Sequence, residues 1–471
     1  MRRVFIISDL HIGGAAPEQP NSRGFRINTH TEQLADFINE LAASDEASVE
    51  LVINGDMLDF LAEKPFEAFT EKINLAIEKL NAIMAREAHF FDALRHFLQR
   101  KQRLVLLLGN HDIELAMPAV RQQFEQRINA RAKDYLFIID GEAYCIGTDI
   151  IIEHGNRYDS WNNVDFNGLH RLREYQTRNE PIPEKKQFAP PKGSALVQTI
   201  MNPLKQKYQF IDLLKPENGA VLPILLALEP NTRNEIATLL SLYLGLSSTN
   251  SFEPKTTERE IENAIRGNAD LDRELKKALG NEEKLREFEQ NMPQAETKNT
   301  TRSLNNPPSA SSERGGFWSS AWGFFDLLTK GSNGQIEKRL PALLQALGAL
   351  QNDKSFQTDV ETLREYQRAA QELADNGFKY IFFGHTHFAR DITLNNKARY
   401  INTGTWADLM QLPKNILQGT KESMLQNLHT FIENIRDNKL ADYLVHQFTY
   451  AEIVLDEHEK PISVELKQYC C

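Results

Sequence analysis

Residues Leu104–Asp112 read Leu-Val-Leu-Leu-Leu-Gly-Asn-His-Asp. Five consecutive aliphatic residues suit a strand buried on both faces, as at the centre of an α/β sheet. Gly109 then lets the backbone turn at no steric cost, and an amide, an imidazole and a carboxylate follow at once. Polar groups at the end of a buried strand read as a site, because open α/β sheets gather their ligands at strand carboxyl ends.

The same pattern recurs at four other places. Val4–Ile7 runs into Ser8-Asp9-Leu10-His11, and Leu51–Ile53 into Asn54-Gly55-Asp56, with Asp59 soon after. Ile150–Ile152 is followed by Glu153-His154-Gly155-Asn156-Arg157, and Tyr380–Phe383 by Gly384-His385-Thr386-His387. Between the first strands lie helical patterns. Leu34, Phe37, Ile38 and Leu41 predict a helix over Thr31–Ala42, and a stretch without glycine from Phe66 to Arg100 predicts a long one. Tyr135–Ile139 and Tyr144–Ile146 are expected to pair around Asp140-Gly141. Strand, helix, strand in succession predicts an α/β sheet.

From about Trp161 to Asn376 helical periodicity takes over, in blocks near 164–177, 194–214, 231–245, 256–291 and 336–375. The expected organisation is a sheet domain of residues 1–160 plus 377–471, with residues 161–376 inserted as a mostly helical block. Within the insertion, 299–316 is rich in Ser, Asn, Arg and Pro and reads as a mobile linker. Residues 317–325, dense in Phe and Trp, read first as core. Their alternatives are an apolar substrate groove or a peripheral membrane contact.

The net charge of -11, from 65 acidic and 54 basic residues, argues against nucleic acid as the main partner. The longest apolar run, Val221–Leu228, is too short to span a bilayer and contains Pro223. Four apolar residues after Arg2 and Arg3 cannot form a signal-peptide core. With only 3 cysteines, two of them the terminal Cys470 and Cys471, no disulfide framework is expected, and a reduced, cytoplasmic setting follows.

Singly, each polar cluster is weak evidence. A lone Asp-x-His is more often a turn, and a lone Gly-Asp a loop. Together they supply imidazole nitrogens and carboxylate oxygens but no thiols, a set suited to borderline first-row cations. One cation takes four to six ligands, whereas the strand ends offer seven or more. Two cations sharing a bridging carboxylate, about 3.5–4 Å apart, would use the excess.

In this order, Asp-x-His, Gly-Asp, Gly-Asn-His-Asp, His-Gly and Gly-His-Thr-His resemble the five blocks of the calcineurin-like metallophosphoesterases. The resemblance covers about 1–160 and 377–471 and implies an αββα sandwich of two mixed sheets. It implies Asp9, His11 and His387 as ligands of one metal, and Asp56 as a bridge. Asn110, His154 and His385 are implied for the second. His111 would contact the phosphoryl group or protonate the leaving oxygen, and Asp112 would orient that imidazole. Arg157 either holds a substrate phosphate or forms an ordinary salt bridge. The implied cofactors are two divalent ions, Mn first, with Fe, Zn or Ni as alternatives. Water between two such cations loses a proton near neutral pH and attacks a phosphoric ester or pyrophosphate bond.

Positions 154 and 385 are separated by 385 − 154 = 231 residues, more than relatives usually place between these blocks. The inserted block is therefore expected to act as a cap that selects a small-molecule, nucleotide-linked or lipid-linked phosphoester. A metal-dependent nuclease is the alternative enzyme, disfavoured by the charge. A scaffold retaining a structural metal is the alternative from another class, and the presence of His111 argues against it.

Overall fold

The computed structural model describes residues 2–17, 23–44, 48–131, 133–229, 327 and 336–470. The linker expected at 299–316, the aromatic stretch 317–325 and the helical blocks at 231–245 and 256–291 lie outside these residues. The chain forms two compact units. One comprises Met1–Lys207, Phe356–Asp408 and Val445–Cys471, the other Tyr208–Ser355 and Leu409–Leu444. Residues 161–207 and 356–376 thus fold with the sheets, whereas 409–444 fold with the second unit.

Among the described residues, eleven strands in two sheets build the first unit. In chain order they are β1 (Arg2–Ile7), β2 (Val49–Asn54), β3 (Arg103–Leu107), β4 (Tyr135–Ile138), β5 (Tyr144–Ile146), β6 (Ile150–Ile152), β7 (Tyr380–Phe383), β8 (Ala389–Thr393), β9 (Arg399–Thr403), β10 (Thr449–Leu455) and β11 (Pro461–Gln468). One sheet has the order β11-β10-β1-β2-β3-β4, with β1 to β4 parallel and β10 antiparallel to β1. The other has the order β5-β6-β7-β9-β8, with β6, β7 and β9 parallel. Both sheets are mixed, as expected.

Side-chain alternation distributes the apolar runs between two faces. Val4, Ile6, Val52, Val105 and Leu107 share a core with Ile150, Ile152, Phe382 and Ile401 of the second sheet. Phe5, Ile7, Leu51, Ile53, Leu104 and Leu106 point the other way. There they meet the helices α1 (Thr31–Ala43), α2 (Ile73–Arg86), α3 (Ala88–Gln99) and α4 (Pro118–Ile128). On the far side of the second sheet, Ile151, Ile381, Phe383 and Tyr400 pack against Tyr366, Ala369 and Ala370 of the helix Arg364–Asp375. Helices, sheet, sheet and helix form four layers, and burial on both sides explains why the strands read as unbroken apolar runs.

Two expectations are corrected. Tyr135–Ile139 and Tyr144–Ile146 do not form a hairpin: β4 pairs with β3, β5 pairs with β6, and the chain crosses between sheets at Asp140-Gly141. Each run finds a fully buried neighbour in a different layer, which outweighs the local turn signal. In the stretch from Phe66 to Arg100 helix begins only at Ile73 and forms two helices, α2 and α3, parted at Glu87. The buried Glu87 carboxylate accepts from Thr31 Oγ1 (2.8 Å) and pairs with Arg26 (3.0 Å).

In the second unit the helices Leu222–Leu228, Leu340–Leu347 and Lys421–Arg436 pack together. The short strands Leu214–Lys215 and Leu409–Gln411 run parallel within it. Among the described residues no helix is long and apolar enough to cross a membrane.

The chain leaves the first unit after Asp408 and returns at Val445. The buried Asp408 carboxylate accepts from His30 Nε2 (2.8 Å) and Thr29 Oγ1 (2.7 Å) and pairs with His446 Nε2 (3.0 Å) and Arg23. Burial alone would raise this carboxyl, but His30, Arg23 and Thr29 prevail and hold it at about 2. A carboxyl depressed from 3.8 stabilises the fold fully above that value and loses its contribution as pH falls through about 2. Asp408→Asn is therefore expected to cost about 2 kcal/mol at pH 6. In urea titrations the deficit relative to wild type should shrink towards zero by pH 2; a deficit independent of pH would refute the assignment.

Candidate metal centre

The carboxyl ends of β1, β2, β3, β6 and β7 converge. Asp9 and His11 follow β1, Asp56 follows β2, Asn110 and His111 follow β3, His154 follows β6, and His385 and His387 follow β7. Ligand atoms of Asp9, His11 and His387 lie within 4.8 Å of one another, and so do those of Asp56, His154 and His385. Asp56 Oδ2 lies 3.2 Å from His154 Nε2 and 3.8 Å from His11 Nε2, which places this carboxylate between the two groups. Asn110 is 2% exposed, and its Oδ1 is buried without a hydrogen bond. The seven residues implied as ligands thus share one locality.

The backbone bends to make this possible. Asp9 (φ 53°), His11 (φ 45°), Asp56 (φ 48°), His385 (φ 66°) and His387 (φ 63°) all adopt left-handed conformations. Asp and His tolerate this region better than most residues, yet each still costs on the order of 1 kcal/mol. Five of the seven residues implied as ligands thus sit on left-handed backbone at strand ends.

Gly109 serves differently from its sequence reading, since its φ is not positive. A Cβ there would stand 2.0 Å from Asp56 Oδ1 and 2.3 Å from Asp56 N, so glycine is required by close approach. Gly55 combines both reasons: its φ is 80°, and a Cβ would stand 2.3 Å from His154 Nδ1. Asp56 Oδ1 accepts the His111 amide (2.9 Å), and Asp9 accepts the His385 amide (3.0 and 2.9 Å), tying strand ends together.

Hydrogen bonding shows which nitrogens face the centre. His154 Nδ1 contacts the Asn54 carbonyl (2.8 Å), which can only accept, so Nδ1 carries a proton. In the neutral ring Nε2 then aims a lone pair at a carboxylate oxygen. His11 Nε2 and His387 Nε2 meet at 2.9 Å, while His11 Nδ1 and His385 Nδ1 are buried without a hydrogen bond. One of the His11 and His387 rings can donate to the other, but the buried nitrogens of His11, His154 and His385 and the Asn110 amide oxygen are left without partners that bound cations would supply. Both groups mix nitrogen and oxygen donors and contain no sulfur, so the residues fit two divalent ions.

Electrostatics agree. Burial pushes Asp9 up to about 6 and His11 down to about 3. Burial also opposes charge on Asp56 and His154, but each is overruled by the other: Asp56 is held well below the usual carboxylate range, and His154 is raised to about 10. Protons here substitute for the positive charge that the carboxylates require.

Two implied roles change. Asp112 does not orient His111. Its oxygens accept the amides of Met57 (2.8 Å) and Gly109 (2.8 Å), bracing the loops after β2 and β3. The carboxylate at His111 is Asp59, whose Oδ1 lies 3.2 Å from His111 Nδ1. Burial would lower the His111 imidazole, but Asp56 and Asp59 raise it to about 9. Only the spacing Asp56-x-x-Asp59, one turn past the ligand, hinted at this in the sequence. Arg157 takes the salt-bridge alternative, with Nη1 3.3 Å from Glu153 Oε2 and a half-exposed side chain outside both ligand groups.

Residues 2–208 match the family model described as calcineurin-like phosphoesterase, which supports a metallophosphoesterase domain over that stretch. The match supports metal-dependent hydrolysis of phosphoric esters as the general reaction class. It takes in four of the five strand ends, and the structure brings the fifth, with His385 and His387, to the same place. No curated protein matches the chain.

Left-handed backbone at a ligand yields a test. Among variants lacking the imidazole, His387→Gly is expected to be more stable than His387→Ala by roughly 1 kcal/mol when metal is removed with chelator. Urea unfolding of the two variants measures this directly. An alanine variant of equal or greater stability would show that the position carries no strain.

Proposed function

We propose that this protein hydrolyses a phosphoric ester or pyrophosphate bond at a dinuclear centre. Asp9, His11 and His387 would hold one cation, Asn110, His154 and His385 the other, and Asp56 both, with Mn as the first candidate. The reading is carried by the two adjoining ligand groups, with Asp56 between them. Bound divalent cations neutralise phosphoryl oxygens and make water acidic enough to attack near neutral pH.

The chain's own residues supply the rest. His111 gives its Nδ1 to Asp59, which leaves Nε2 to donate to the phosphoryl group or the departing oxygen. Its side chain is 22% exposed whereas that of Asp59 is 4% exposed, so the imidazole is the member open to a substrate. Asp112 fixes the loops from which Asp56 and His111 project. Rigid strand ends matter because small misplacement of reacting groups costs rate.

His111→Ala is expected to keep the wild-type metal content and lose roughly 10²–10⁴-fold in turnover. Elemental analysis beside a chromogenic phosphodiester assay distinguishes this from loss of the centre; a variant stripped of metal would refute the role given to His111.

We further propose that residues of the 161–376 insertion select the substrate, in the manner of a cap, and that it is a small or lipid-linked phosphoester. The offset of 231 positions from His154 to His385, together with the acidic net charge of -11, supports this reading. Purified Mn²⁺-loaded protein should be assayed against bis-p-nitrophenyl phosphate, p-nitrophenyl phosphate, single-stranded DNA and a nucleotide-sugar lipid. Turnover of the small or lipid-linked esters is expected. Cleavage of DNA alone would establish a nuclease instead, and inertness at full metal occupancy a scaffold.

A further inference from the structure

The imidazole of His385 is held from its far side by a residue that none of the five sequence blocks contains. His385 Nε2 lies 3.2 Å from Asp159 Oδ2, and the ring stacks on Tyr366 with centroids 6.3 Å apart. The opposite nitrogen, Nδ1, is buried without a hydrogen bond, and the residue belongs to the group formed with Asp56 and His154. Asp159 is itself fixed: Oδ1 accepts from Trp161 N (2.8 Å) and Oδ2 from Asn162 Nδ2 (2.7 Å). Asn156 Nδ2 donates to the Asn162 carbonyl (2.9 Å), closing the loop on itself.

An ionised carboxylate only accepts hydrogen bonds, so the imidazole proton must reside on Nε2 and the lone pair on Nδ1. We infer that Asp159 is a positioning residue that locks His385 in the Nε2–H tautomer and so presents Nδ1 to the second cation. The inference rests on the dinuclear reading above and adds to it the residue that fixes this ligand. A carboxylate behind a ligating imidazole also increases the basicity of the lone pair, and loss of such a partner typically weakens metal binding 10–100-fold.

The test is Mn²⁺ titration of metal-free wild type, Asp159→Asn and Asp159→Glu by calorimetry, with electron paramagnetic resonance at two equivalents. Wild type is expected to bind in two steps and give a spin-coupled pair spectrum. Asp159→Asn should bind the first ion as wild type does and the second 10–100-fold more weakly, showing uncoupled Mn²⁺ at the same loading. Asp159→Glu, which keeps the carboxylate, should recover the coupled spectrum. Unchanged second-step affinity in Asp159→Asn would overturn the positioning role while leaving the dinuclear centre intact. Equal weakening of both steps would also overturn it, since it signals general loss of structure. Fewer than two ions in wild type would instead refute the dinuclear reading itself.

Discussion

A carboxylate cannot stay ionised in a protein interior unless positive charge reaches it, and Asp56 is buried to 1% exposure. Around it stand His154, His11 and the backbone amide of His111, each contributed by a different strand end. The two glycines nearest it exist so that neighbouring chains can approach without a Cβ. The left-handed turns after the strands aim the remaining ligands at the same point. Much of the local conformational cost makes sense as the cost of assembling a charge trap, since preorganised donors need not move when the ligand arrives.

Much of this was legible in the sequence. Buried parallel strands announce themselves as aliphatic runs, and the Asp and His residues that follow them are the ones the structure gathers into two groups. The layers around β1, β2, β3 and β7 follow from those runs, because an alternating strand that is apolar at every position must be covered on both faces. What escaped was decided by distant partners. The step from β4 to β5 looks like a hairpin until the neighbours available in each sheet are known. Asp112 and Asp59 are equally plausible partners for His111 on paper, and only the backbone path shows that Asp112 is committed to amides. Asp159 carries no signal at all in the sequence, being one aspartate in a polar loop.

The periphery of the first unit shows the same economy in another form. Asp408 gathers Arg23, Thr29, His30 and His446 at the places where the chain departs and returns. One buried carboxylate thereby joins the loop after β1 to both ends of the 409–444 excursion. Ion pairing is added there to the apolar packing of Trp406 and Phe448, which belong to the core on the helix side of the first sheet.

The order of the strand ends along the chain has a consequence for synthesis. Four of the five ends lie within the first 154 residues, and His385 and His387 follow 231 positions after His154. At about 5–20 residues per second, a ribosome needs roughly 10–50 s to cover that distance. During that time Asp9, His11, Asp56, Asn110 and His154 are already made, and neither group has its full complement. A nascent chain that captured a cation then would hold it with vacant positions open to whatever ligand is at hand, including a second unfinished chain. On the dinuclear reading, then, neither ligand group is complete until the Gly-His-Thr-His end has been made and the polypeptide has come back from its long excursion.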